Sequence, residues 1–252
     1  MLRRLLTISL LAAPAWAMAG CARPLRVPFE DWQPYSFIDA KGRHTGLETE
    51  LLAAVAKEAG CRVTYVRGVP RNRRLPMLVS GELDLLIAAT PVPGDPAWYT
   101  RPYRDEVFGA FMREGKAQRE ARSMDDLLAA RLRLVTHRGP VSVAVIHEFQ
   151  SLGLLTWFED YAKGVQLMKL DRGDVLLGDS VAIAYAARIA DVPLVPLAFD
   201  VTRGPVTYKL SRKSMTEAQL QGFNSAIQRL EARGELQRIR QRWLGAEVGV
   251  VR

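Results

Sequence analysis

Residues 47–66 read Leu-Glu-Thr-Glu-Leu-Leu-Ala-Ala-Val-Ala-Lys-Glu-Ala-Gly-Cys-Arg-Val-Thr-Tyr-Val, and their reading decides the fold. Leu47, Leu51, Leu52, Val55 and Ala59 recur at helical spacing, and Gly60 supplies a C-terminal stop. The run Arg62 to Val66 that follows is rich in β-branched and aromatic residues, which is a strand signal. Upstream, Leu25-Arg26-Val27-Pro28-Phe29 reads as another strand, and Asp31-Trp32-Gln33-Pro34-Tyr35-Ser36-Phe37 as an aromatic-rich loop, because Pro34 pushes its predecessor away from helix. Strand, helix and strand form a βαβ unit, so the chain opens its folded part with parallel strands.

The same alternation continues outward. A helix is expected over Arg73 to Ser80, ended by Gly81, then a strand over Leu83 to Ala89 and another around Val107 to Arg113. Ser123, followed by Asp125 and Asp126, opens a fresh round as a helix N-cap with acidic residues in the first turn. That round runs through strand Arg131 to Thr136, loop His137-Arg138-Gly139-Pro140, helix Val141 to Ser151, strands Val165 to Leu170 and Val175 to Leu177, and helix Ser180 to Ile189. Residues Thr216 to Leu244 read as helix, broken near Gly234. Two rounds of similar order argue an α/β architecture.

Met1-Leu2-Arg3-Arg4, the apolar run Leu5 to Ala13 and the small residues Ala15-Trp16-Ala17-Met18-Ala19 follow the order of a secretory signal peptide, residues 1–19, with cleavage after Ala19. No later run approaches the ~20 apolar residues of a membrane span. With 48% hydrophobic and 25% charged residues, the remainder has the composition of a globular protein rather than a disordered one. The net charge of +8 is spread among acids instead of clustered, and export separates the chain from nucleic acid, so no nucleic-acid partner is expected.

Two fates are open to Cys21. It stands just before the first strand and Cys61 just before the second, so parallel neighbours would bring the pair together as a disulfide in an oxidising compartment. Alternatively, Met18-Ala19-Gly20-Cys21 loosely resembles a lipidation box, which would leave Cys61 unpaired. The disulfide is the preferred reading. His44, His137 and His147 have no metal-ligand spacing, and no nucleophile elbow, phosphate loop or C-x-x-C pair occurs, so no metal or other cofactor is expected.

An ordered set of segments carries a resemblance: Pro34-Tyr35-Ser36-Phe37, Gly42, Gly46-Leu47-Glu48 with Glu50-Leu51, Gly81-Glu82-Leu83-Asp84, Arg101-Pro102-Tyr103, Asp126-Leu127, Gly173-Asp174-Val175 with Asp179, and Trp243-Leu244-Gly245. Together they resemble the family 3 periplasmic solute-binding proteins, which include the polar amino-acid receptors of import transporters. The resemblance implies an α/β, two-lobed periplasmic-binding-protein-like fold of type II with two crossover hinge strands. Transferred here, lobe 1 is residues 22–108 with 208–252 and lobe 2 is 109–207, with hinges near Gly109-Ala110 and Val206-Thr207. It further implies a monomer in the periplasm that captures a small polar ligand for an inner-membrane ABC permease, and no catalysis. Rival readings on the same scaffold are a dehydratase of cyclic dienyl acids, with Glu30 or Asp179 as general acid, and a ligand sensor.

Ligand is expected outside the carboxyl ends of the strands. Those ends carry Glu30, Trp32 and Tyr35, then Thr90, then Arg138 and Gly139, then Asp179. Trp32 suits a stacking wall. The resemblance makes Asp179 the acceptor of a ligand ammonium and Glu30 a second acid. Arg138 and Gly139 precede a helix N-terminus that favours an anion, although Pro140 removes one amide donor. Members that bind amino acids read Thr-x-Thr-Pro-Glu-Arg after the third strand, where this chain reads Thr90-Pro91-Val92-Pro93-Gly94-Asp95. The carboxylate-gripping arginine is missing there, and Arg73 is its candidate replacement.

Overall fold

The computed structural model describes residues 20–115, 121–137 and 144–244. The first βαβ unit forms as read: β1 (Leu25–Pro28) and β4 (Val63–Val66) pair in parallel, Leu25 opposite Val63. Between them lie the short hairpin β2 (Phe37–Ile38) with β3 (His44–Thr45) and helix α1 (Leu47–Glu58). Helix α2 (Arg71–Ser80) ends at Gly81 in the left-handed conformation, and leads to β5 (Leu85–Ala89) and the short β6 (Trp98–Tyr99).

Two long strands then dominate. β7 (Arg104–Arg113) and β11 (Leu194–Leu210) run antiparallel from Leu194 opposite Arg113 to Val206 opposite Arg104. Between them in sequence come α3 (Met124–Ala129), β8 (Leu134–His137), α4 (Ala144–Ser151), β9 (Leu155–Phe158), α5 (Tyr161–Lys169), β10 (Val175–Asp179) and α6 (Ser180–Ile189). The chain closes with α7 (Glu217–Ala232) and α8 (Glu235–Leu244). Among the described residues one sheet runs in the order β5, β11, β7, β10, β8, β9, with β6 on β11.

The hydrophobic cores fall on two sides of this long pair. One gathers Leu25, Leu51, Val55, Tyr103, Tyr208, Phe223 and Ile227, so residues from both chain ends share it. Two others pack on opposite faces of the middle segment, around Phe149 and Leu177 on one and Phe111, Val165 and Ile183 on the other. This is the two-lobed α/β arrangement with two crossover strands.

One segment overturns its expectation. Val165 to Leu170 is not a strand but the second half of α5 and its C-cap, Leu170, and β9 stands where no strand was expected. Asp160 caps α5, its carboxylate accepting from the Lys163 N–H at 2.8 Å, and Val165 and Met168, three apart, share its buried face. A short apolar run fits either period, and the cap decides it here. The paired cysteines meet as expected: Cys21 and Cys61 form a disulfide with Cα atoms 4.8 Å apart, beside the parallel strand starts. Among the described residues, no helix is long and apolar enough to cross a membrane.

Candidate functional site

The loop after β1 is pinned by α1. The first N–H groups of a helix lack partners within it, and here Leu47 and Glu48 donate theirs to the carbonyls of Pro34 and Tyr35 at 3.0 and 2.8 Å. Gly46 permits this approach: at φ 120° it adopts a conformation open to glycine, and a Cβ there would stand 2.4 Å from the Tyr35 carbonyl oxygen. Trp32 lies against Tyr35 with ring centroids 4.3 Å apart. Tyr35 is thereby held fully buried, with its hydroxyl turned toward the middle segment of the chain.

There it meets Asp179. The Tyr35 hydroxyl donates to Asp179 Oδ1 at 2.5 Å, joining positions 144 residues apart. Asp179 ends β10 and caps α6, accepting from the Ala182 N–H at 2.8 Å, while its own N–H donates to the Tyr161 hydroxyl at 2.9 Å. Burial pushes the Asp179 carboxyl above the usual carboxylate range, against the hydrogen bonds it accepts. Burial likewise raises the Tyr35 phenol well above its ordinary value, so it stays protonated and donates.

A second layer lies at the head of β7. Arg104 Nε donates to Glu48 Oε1 at 2.5 Å, the Tyr103 hydroxyl donates to Glu48 Oε2, and the Arg104 guanidinium stands 5.1 Å from the Tyr35 ring centroid. The Arg104 and Glu48 side chains are both essentially inaccessible. Glu106 lies 3.9 Å from Arg104 Nη2, and burial lifts its carboxyl above the ordinary range, with Asp179 adding to the effect. The cluster therefore sets three carboxylates, Glu48, Glu106 and Asp179, against one guanidinium. Its local field favours a cation.

The anticipated residues are only partly gathered here. Trp32, Tyr35 and Asp179 come together. Glu30 instead forms ion pairs with Arg71 and Arg74 at 2.5 and 2.6 Å, tying the β1 loop to the start of α2. Arg73 is exposed on the first turn of α2, and Thr90 is exposed after β5. Arg138 and Gly139 lie outside the described residues, as does the N-terminal segment 1–19. Asp95, which takes the place of the missing arginine, pairs with Lys209 at 2.7 Å; burial pushes its carboxyl up, and the ammonium outweighs this and leaves it below the usual range. Arg104 and Glu106 were not anticipated. Their signal is three consecutive charges, Arg104-Asp105-Glu106, at the start of a strand that runs between the cores, where charge is expensive unless it is used.

A two-lobed fold whose crossover strands and strand ends converge on one polar cluster defines a ligand-binding class of protein. The chain belongs to the bacterial extracellular solute-binding proteins, family 3, whose model matches residues 25–246. It is similar to an ancestral cationic amino acid solute-binding protein, at 25% identity with 88% of this chain and 95% of that one covered and a TM-score of 0.72. It is also similar to the second substrate-binding domain of a putative amino acid ABC transporter from Streptococcus pneumoniae, at 18% identity, 88% and 100% coverage and a TM-score of 0.71. A histidine kinase sensor domain resembling periplasmic binding proteins aligns at 23% identity, 89% and 96% coverage and a TM-score of 0.63. Among curated proteins, none matches this chain in sequence.

Proposed function

We propose that this protein captures a small polar solute bearing a cationic group, an amino acid or related molecule, between its lobes and releases it unchanged to an inner-membrane ABC permease. One observation carries the reading: Tyr35 and Asp179, from opposite sides of the crossover strands, meet beside Glu106 in a buried cluster with more carboxylate than cation. A buried Asp179 beside a partly buried Glu106, both with lifted pKa values, is an unfavourable arrangement for an empty protein, and a ligand ammonium or guanidinium relieves it. The name of the ancestral cationic amino acid binder, whose chain is similar over nearly its whole length, supports the same ligand class.

In this reading lobe 1 comprises residues 22–108 and 208–252, lobe 2 residues 109–207, and the hinges lie near Gly109-Ala110 and Val206-Thr207. The separation of the cores supports the first crossing, since Tyr103 belongs to one core and Ala110 to another, while Val206 packs with Tyr103 and so draws the second crossing back between Leu197 and Val206. Asp179 and Glu106 take the ligand cation, Trp32 and Tyr35 form an aromatic wall, and Arg138, Gly139 and Arg73 are left to meet an anionic group. Thr90 and Glu30 border the cleft at the ends of β5 and β1. The protein works as a periplasmic monomer, exported by residues 1–19, and the Cys21–Cys61 disulfide fits an oxidising compartment.

A thermal-shift screen of the mature protein against amino acids, polyamines, small carboxylates and osmolytes tests this, because selective binding to the folded state raises apparent stability. Cation-bearing solutes are expected to stabilise it saturably and to be recovered intact. Stabilisation by purely anionic solutes alone would sink the reading. The lifted carboxyls of Asp179 and Glu106 also suit a general acid, so a dehydratase is the second reading, and conversion of a solute to product during incubation would establish it instead.

A further inference from the structure

A cavity of about 570 Å³ lies between the crossover strands, the N-terminus of α6 and helix α8; Tyr103 and Arg104 stand between it and the cleft cluster and border both, whereas Tyr35, Glu106 and Asp179 are not among its walls. Its volume falls in the range of small-molecule sites, about 300–1,000 Å³. Val107 and Phe111 of β7, Val181 of α6, and Leu197 and Phe199 of β11 give it a mostly apolar lining.

The charged groups at its edge are paired: Arg104 with Glu48 of the neighbouring cluster, although its Nη2 makes no hydrogen bond, and the others among themselves. Arg203 donates to Asp200 at 2.8 Å and to Asp105 at 3.3 Å, while Arg240 donates to Glu231 at 2.8 Å and to the Tyr103 carbonyl at 2.8 Å. A charged ligand entering here would give up hydration without meeting an unanswered opposite charge. Gln237 and Gln241, one helical turn apart on α8, face the cavity and offer neutral donors and acceptors. Ser180 adds a hydroxyl.

We propose that this cavity is a second binding site, distinct from the cleft, for an uncharged and largely apolar small molecule with one hydrogen-bonding end, such as an aromatic or alicyclic alcohol, amide or amine in its neutral form. The contrast with the cleft is chemical: the Tyr35–Asp179 cluster is rich in carboxylate, whereas the cavity is apolar with balanced charge. The inference stands whether or not the solute proposed for the cleft is correct.

The probe is N-phenyl-1-naphthylamine, an uncharged aromatic amine whose fluorescence rises in apolar surroundings, titrated into the mature protein. Saturable one-to-one binding is expected. Val107→Trp, which fills the cavity, should weaken it at least tenfold, and Asp179→Asn in the cleft should leave it unchanged. If circular dichroism shows that Val107→Trp has not folded, Gln241→Trp, on the exposed face of α8 at the cavity mouth, is read the same way. Absence of saturable binding, indifference to the cavity substitution in the folded variant, loss of binding in Asp179→Asn, or probe binding that follows dimer formation in sedimentation would each overturn the proposal.

Discussion

Asp179 carries three duties at one carboxylate: it caps α6, accepts from Tyr35, and stands beside Glu106 in a site poor in cations. Asparagine caps a helix as well as aspartate does and carries no charge to desolvate. Asp179→Asn should therefore melt no lower than wild type while losing at least tenfold in affinity for a cationic solute, measured by melting and calorimetry on the same preparation. A large drop in melting temperature would make the residue structural.

The pH dependence belongs to the same groups. A carboxyl whose folded pKa is raised contributes stability below its unfolded value, about 4, and loses it as pH rises through the folded value. The empty cluster is thus least content at neutral pH, where a cation binds it best. Affinity for a cationic solute should fall as pH drops through the lifted values of Asp179 and Glu106, beginning at higher pH than an ordinary carboxylate would give; titrations between pH 7 and pH 4 measure it. Asp179 was legible at the end of an apolar strand, but Glu106 was not, since nothing local says which face of a strand looks into a cleft.

At the scale of elements, Asp84 shows a motif residue acting as a structural tie. Its buried carboxylate accepts from the Arg26 N–H at 2.7 Å, from the Arg23 and Arg26 guanidinium groups and from the Ser214 hydroxyl at 2.6 Å, fastening β1, β5 and the turn before α7. Burial pushes this carboxyl up, and the arginines and hydrogen bonds outweigh it and hold it far below the usual range. Because the folded pKa is depressed, its contribution is present above about pH 4 and fades as pH falls. Asp84→Ala should cost about 1–3 kcal/mol by urea unfolding at neutral pH, because the Arg26 N–H and the Ser214 hydroxyl lose their acceptor while the partly exposed arginines regain water. A cost near zero would show the tie to be redundant. Periodicity and caps disclosed α1, α6 and the final helices closely. They failed at α5, where nine residues of mixed period needed the Asp160 cap to decide, and at β11, whose length is disguised by Pro196, Gly204 and Pro205. Such a strand forms because β7 and then β6 pair along one side of it and β5 pairs with its end on the other, which is tertiary information.

For the molecule as a whole, the N-terminal strand is stapled to α1's far end by Cys21–Cys61, across a sequence separation of 40. A cross-link of that span stabilises by about 2–4 kcal/mol, mainly through the unfolded chain. Cys21→Ser with Cys61→Ser should lower stability by that amount while leaving solute affinity within about twofold, because the bridge joins the start of β1 to the far end of α1, away from the end of α1 that holds the Tyr35 loop. Lipid attachment at Cys21 would compete for the same sulfur, and the mass of the mature protein distinguishes the two.

The most direct trial of the central claim is equilibrium dialysis of the mature protein against a mixture of amino acids, polyamines and small carboxylates, with mass analysis of what is retained. The account predicts that wild type keeps one cation-bearing solute, or a closely related few, unchanged and in one-to-one ratio, and that Asp179→Asn does not. Retention of a purely anionic solute, equal retention by Asp179→Asn, or the appearance of a product in place of the solute would contradict it.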